Sequence, residues 1–137
     1  MARTTYYFDV DGVLANYHKD AFNVKNAFNR EWIANLEPFI ENVNLVRELI
    51  ANNKSVYIIT KAACEQAKLG KLDWFKKYIP ELDVKRIIVI VGHGNKAEFM
   101  KTKEGILIDD DIKNCRQWAR AGHEYIHLEI KGQKIVL

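Results

Sequence analysis

The sequence predicts an α/β fold: one three-layer domain with a mostly parallel five-stranded sheet, the first strand central and helices on both faces. Three observations predict it. Five short apolar runs alternate with segments of helical periodicity, the pattern of a parallel sheet covered by its crossover helices. One run, Ile87-Ile88-Val89-Ile90-Val91, is apolar throughout, as a strand buried on both faces should be. Residues able to do chemistry stand directly after several of the runs, where open parallel sheets bind ligands.

Taken in order, the strands are expected over Thr5 to Phe8, Ser55 to Ile59, Arg86 to Val91, Gly105 to Ile108 and Glu124 to Leu128, each rich in Val, Ile or Tyr. A helix over Asn42 to Asn52 places Val43, Val46, Leu49 and Ile50 at helical spacing, and Asn53 ends it. A second, Cys64 to Tyr78, carries Ala67, Leu72, Phe75 and Ile79 on its apolar face and is stopped by Pro80; Trp74 and Phe75 read as core. A third, Asp111 to Ala121, carries Ile112, Cys115, Trp118 and Ala119, and Gly122 closes it. Gly132 and Gln133, between Ile130 and Ile135, are expected to turn the tail into a small hairpin.

The stretch from about 15 to 38 stands outside this alternation and reads as an insertion after the first strand, with one helix near Asp20 to Arg30. Its Phe22, Phe28 and Trp32 either pack the insertion onto the core or stack on a ligand, with packing the simpler reading. His18, close to the first strand, is a candidate to approach a substrate. His93 and His123 stand beside glycines without spaced partners and read as ordinary loop residues.

A chain of 137 residues is one domain's worth. With 48% hydrophobic and 28% charged residues it has the balance of a folded soluble protein, which excludes disorder. The net charge of +3 is spread along the chain, compatible with an anionic substrate and weak support for nucleic-acid binding. Cys64 and Cys115 have neither CxxC spacing nor a histidine pattern, so no zinc site or disulfide framework follows, and a reducing cytoplasm fits best. No amino-terminal stretch has the order of a signal peptide, and no apolar run reaches the roughly 18 residues of a membrane span.

The most informative feature is Asp9-Val10-Asp11-Gly12-Val13, directly after the first strand. Strand alternation sends Asp9 and Asp11 to one side and Val10 to the other, clustering negative charge at one spot. Carboxylates so close repel unless a cation or shared proton compensates them, and oxygen-only ligation suits Mg²⁺. Thr60 follows the second strand, Lys96 lies in the loop after the third, and Asp109, Asp110 and Asp111 follow the fourth. These types suit phosphoryl transfer: a carboxylate nucleophile, a carboxylate acid and base, a hydroxyl and a lysine on phosphate oxygens, and acids on a metal ion. Lys101 and Lys103 also precede the fourth strand; Lys96 is favoured because Gly92, Gly94 and Asn95 form a loop that delivers it. Asp111 is open to three roles: solvated, capping the next helix, or standing behind the metal ligands.

In order and along most of the chain, Asp9-Val10-Asp11-Gly12-Val13, Ile58-Ile59-Thr60, Lys96 and Ile106-Leu107-Ile108-Asp109-Asp110 resemble the four motifs of the haloacid dehalogenase superfamily of phosphohydrolases. Leu36-Glu37-Pro38-Phe39 and Ile108-Asp109-Asp110 followed by Asn114 look most like its 5'(3')-deoxyribonucleotidase branch. The resemblance implies a Rossmann-like fold and an Mg²⁺-dependent phosphomonoesterase. Asp9 would form an aspartyl phosphate and Asp11 would act as acid and base. Asp9, the Asp11 backbone carbonyl and Asp109 would hold the metal, with Asp110 close by. Thr60, the Lys61 amide and Lys96 would bind phosphate. The substrate expected is a nucleoside monophosphate. A polynucleotide end, a sugar phosphate, or a binding domain without turnover are the alternatives. The insertion stands where the family carries its substrate-selecting cap. It is short for the nucleotidase branch, which leaves the site open to a larger substrate or to cover by a second subunit.

Overall fold

The computed structural model describes residues 3–18 and 24–137. Strands β1 (Thr5–Phe8), β2 (Ser55–Ala62), β3 (Ile87–Val91), β4 (Ile106–Asp109) and β5 (Tyr125–His127) form one sheet in the order β3-β2-β1-β4-β5, every neighbouring pair parallel. The chain winds from β1 outward to β3, then crosses to the other side of β1 for β4 and β5. The strand order therefore reverses between β1 and β4, and a crevice opens at their carboxyl ends. Asp9 follows β1 and Asp109 ends β4, so both stand at that crevice.

Helices α1 (Arg30–Ala34), α2 (Ile40–Ala51), α3 (Glu65–Tyr78) and α4 (Ile112–Arg120) complete the three layers. Strand alternation divides the core. Phe8, Val56, Ile58 and Ile108 pack with Val43, Val46, Trp74 and Phe75 of α2 and α3. Tyr7, Ile59, Ile90 and Leu107 pack with Trp118 of α4 on the other face. Both buried indoles are satisfied, Trp74 Nε1 donating to the Leu36 carbonyl at 2.9 Å and Trp118 Nε1 to that of Gly105 at 3.0 Å.

Three expectations need correction. β2 continues past Ile59 to Ala62, because Thr60, Lys61 and Ala62 pair with Val89, Ile90 and Val91; Thr60 and Lys61 are strand residues. On α3 Leu72 is only half-buried, and the inward face is Ala67, Gly70, Lys71, Trp74 and Phe75. The tail forms a turn but no hairpin: Gln133 N–H donates to the Ile130 carbonyl, whereas Gly132 N–H donates to Gly12 and Ile135 N–H to the Asn42 side chain. Within the Asp20 to Arg30 window the described residues form a 3₁₀ turn over Val24–Phe28, and α1 follows from Arg30, capped by Asn29 Oδ1 accepting from Trp32 N–H at 2.9 Å. Asp20 and Phe22 lie outside the described residues.

The two ends of the insertion meet, Ala15 bridging to Pro38 and Phe39 N–H donating to the Leu14 carbonyl at 2.7 Å. Helix α1 docks on α3 at Gly70, where a Cβ would stand 2.5 Å from the Arg30 carbonyl oxygen. Beside it Arg30 Nε pairs with Asp73 at 2.7 Å. Trp32 packs edge-on against Tyr17 and beside His18, the packing reading of that aromatic, while Phe28 stays exposed. Among the described residues no helix is long and apolar enough to cross a membrane.

Candidate active site

The crevice beyond β1 and β4 opens into a cavity of about 410 Å³ whose lining includes Asp9, Asp11, Thr60, Lys61, Lys96 and Asp110. These residues, singled out in the sequence, therefore converge on one space at the rim the topology leads to, while Asp109 is fully buried and does not itself line it. Each arrives there for a local reason.

Asp9 leaves β1 with its N–H bonded to the Ile108 carbonyl at 2.9 Å, which ties it to β4. Asp109 is completely buried: its Oδ2 accepts from Lys96 Nζ at 2.9 Å and Asn114 Nδ2 at 3.1 Å, and its Oδ1 from Asp111 N–H at 2.9 Å. Lys96 Nζ also lies 2.9 Å from Asp9 Oδ1, with only 2% of its side chain exposed. The Asn95 side chain caps the 3₁₀ turn Lys96–Phe99 by accepting from Ala97 N–H at 3.0 Å, and this turn carries the lysine inward. Lys101 and Lys103 are exposed and outside the cavity lining, so of the three lysines it is Lys96 that enters the cavity. Asp111 caps α4, its Oδ1 accepting from Lys113 N–H at 2.9 Å, which selects the capping role.

Gly12 lets Asp110 approach. Its φ is +82°, and a Cβ there would stand 2.0 Å from Asp110 Oδ2. Ligand oxygens of Asp9, Asp109 and Asp110 all lie within 4.8 Å of one another. One ammonium faces three clustered carboxylates, and their acidities divide accordingly. Burial and then the Asp109 charge push Asp9 well above the usual carboxylate range. Burial and Asp109 likewise push Asp110 up to about 6. Asp109 is held low: burial works against its charge, and Lys96 more than offsets that. Lys96 is raised, since Asp9 and Asp109 outweigh its own burial. An all-oxygen donor set with surplus negative charge fits a hard divalent cation such as Mg²⁺.

The Asp11 carboxylate is not part of this cluster. Lys71 Nζ reaches it from α3, 3.0 Å from each oxygen. An expected metal contribution from Asp11 through its backbone carbonyl is compatible with that arrangement. Thr60 is fully buried, yet its Oγ1 has no hydrogen-bond partner. Thr60 lines the cavity, and a hydroxyl there without a partner leaves hydrogen-bonding capacity for a ligand oxygen. Lys61 Nζ donates to Asn114 Oδ1 at 3.3 Å. His18 turns onto Trp32 and lines a neighbouring cleft instead.

Tyr17, Lys71 and Lys131 were not legible as site residues in the sequence. For Lys71 a signal exists: it sits four residues after Ala67 and three before Trp74, on the inward stripe of α3, where an unpaired lysine would be costly. Tyr17 lines the cavity, and burial and then Asp11 raise its phenol.

No protein-family model matches the sequence, and no curated protein does. Among solved structures, the chain is similar to a class C acid phosphatase from Bacillus anthracis crystallised with tungstate bound, with a TM-score of 0.64 and 15% identity. A second structure of that phosphatase gives the same TM-score and identity. The likeness is one of fold. It covers 92% of this chain and 66% of the phosphatase chain, so this chain spans just under two thirds of the length of the proteins it resembles. What that likeness shows is the fold, a five-stranded parallel sheet with helices on both faces in the Rossmann-like manner.

Proposed function

We propose that the protein is an Mg²⁺-dependent phosphomonoesterase acting through Asp9, with nucleoside monophosphates as its substrate class. The observation that carries this reading is one cavity holding a carboxylate cluster, a buried ammonium and the partnerless Thr60 hydroxyl. The acid-phosphatase neighbours support the same reaction class.

Thr60 Oγ–H and Lys61 N–H bind the phosphate oxygens, and Lys96 offsets the charge that phosphate brings towards Asp9. An Asp9 carboxylate oxygen attacks phosphorus in line. The P–O bond to the leaving group breaks, and Asp11 gives that oxygen its proton. Asp11 then takes a proton from water, the water oxygen attacks phosphorus, and the Asp9–phosphate bond breaks to release inorganic phosphate and the free carboxylate. Mg²⁺ held by Asp9, Asp109 and Asp110 with the Asp11 carbonyl would keep Asp9 ionised and lessen its repulsion of the phosphate. Tyr17, backed edge-on by Trp32 at a centroid separation of 5.5 Å, supplies an aromatic wall for a base.

The test is phosphate release from nucleoside 5'- and 3'-monophosphates and sugar phosphates, with Mg²⁺ and with chelator. Metal-dependent release favouring nucleotides is expected. Release from sugar phosphates alone keeps the chemistry and replaces the substrate, and no release from any member turns the reading to a binding domain.

A further inference from the structure

The chemistry proposed above uses Thr60, the Lys61 backbone amide, Lys96 and the acids, and leaves the side-chain ammonium groups of two lysines of the same cavity unassigned. Lys61 and Lys131 both line it. Lys96 is neutralised by Asp9 and Asp109, and Lys71 by Asp11. Lys61 holds only the neutral Asn114 carbonyl, and among the described residues Lys131 has no carboxylate within ion-pair distance.

Lys131 is not left to an unanchored tail. Asn42, 1% exposed, donates through Nδ2 to the Val13 carbonyl at 2.8 Å and the Gln133 carbonyl at 3.0 Å, and its Oδ1 accepts from Ile135 N–H at 2.9 Å. One buried side chain thus ties the loop after Asp9 to the tail. Gly132 N–H adds a bond to the Gly12 carbonyl at 2.8 Å, one residue from Lys131. The backbone of residue 131 is fixed against the loop carrying Asp9 and Asp11, and Lys131 is an exposed residue of the cavity lining. Asn114 does the same for Lys61, joining it to Asp109.

We infer that Lys61 and Lys131 form a second anion subsite, and that the substrate carries a second phosphate beside the one removed. A nucleoside bisphosphate and the phosphorylated end of a polynucleotide share that chemistry. The inference rests on the phosphatase reading for the first phosphate and deepens it by naming the substrate class. Both ammoniums are at least partly exposed, so the attraction falls with salt.

The experiment compares kcat/KM for thymidine 5'-monophosphate, thymidine 3',5'-bisphosphate and 5'-phosphorylated dithymidine. The protein is expected to favour the two substrates that carry a second phosphate group by about tenfold, through KM. Lys131→Ala should bring that ratio towards one and Lys131→Arg should keep it. Preference for the bisphosphate alone assigns the subsite to a terminal phosphate; preference for both assigns it to the phosphodiester of a polynucleotide end. A wild-type ratio near one, or a ratio that Lys131→Ala leaves unchanged, overturns the subsite and spares the phosphatase reading. If no compound releases phosphate, the phosphatase reading falls instead, and calorimetry reads the subsite: tighter binding of the bisphosphate than the monophosphate keeps it, and equal affinity removes it.

Discussion

The ammonium of Lys71 lies 3.0 Å from both carboxylate oxygens of Asp11, and its side chain is 4% exposed where that of Asp11 is 32% exposed. A lysine is buried here to hold the acid two residues beyond the proposed nucleophile. Its neighbours on α3 also carry the insertion, Gly70 taking the α1 backbone and Asp73 pairing with Arg30.

Lys71→Met keeps most of the buried volume and leaves a partly hydrated Asp11 without its holder. Stability should change by no more than about 1 kcal/mol, while kcat falls by roughly 10²-fold if Asp11 handles the proton. The loss should be larger for an alkyl phosphate than for p-nitrophenyl phosphate, whose leaving group needs little protonation. Equal losses on the two esters would remove Lys71 from proton handling.

Lys96→Met leaves Asp9 and Asp109 facing each other without a cation. Breaking a buried ion network in this way costs about 3–5 kcal/mol. Urea unfolding at pH 7 measures it. A change below about 1 kcal/mol would mean that the ammonium does not compensate the pair.

The pH dependence without metal follows from Asp110, raised from an ordinary 3.8 to about 6. Between those values the folded protein holds a proton that the unfolded chain has released, so stability falls as pH rises through that window and is level above it. Asp9 acts in the same direction. Asp109 is held low, so its contribution is present above 3.8 and lost only at more acid pH. In chelator, Tm should decline as pH rises from about 4 to about 6. Added Mg²⁺ should raise it more at pH 7 than at pH 5, because binding at pH 5 must displace protons. A Tm that climbs across the window in chelator would contradict the clustered carboxylates.

Gly12→Ala places a methyl group where Asp110 sits, in a backbone conformation that alanine adopts poorly. Calorimetric Mg²⁺ affinity should fall at least about tenfold. Unchanged affinity would take Asp110 out of the metal site.

What the sequence made legible was local. Asp9, Asp11, Thr60 and the Asp109–Asp110 pair follow or end apolar strands, and strand alternation with the parallel-sheet rule suffices to bring them to one rim. Lys96 was legible because Gly92 and Asn95 mark the loop that turns it inward. Lys71 was not, since a lysine faces the core only once α3 has docked beside Asp11, a contact between residues far apart in the chain. The tail was misread for a related reason: Gly132 looks like hairpin chemistry, but its N–H and those around it find partners in Gly12 and Asn42, which no local pattern announces.

Whether Asp9 performs the chemistry is tested most directly by comparing phosphate release by wild type and Asp9→Asn, each with Mg²⁺ and with chelator, alongside thermal unfolding of both. The expected result is metal-dependent release by the wild type, none by a variant that remains folded, and none by either in chelator. Full release by Asp9→Asn would contradict it.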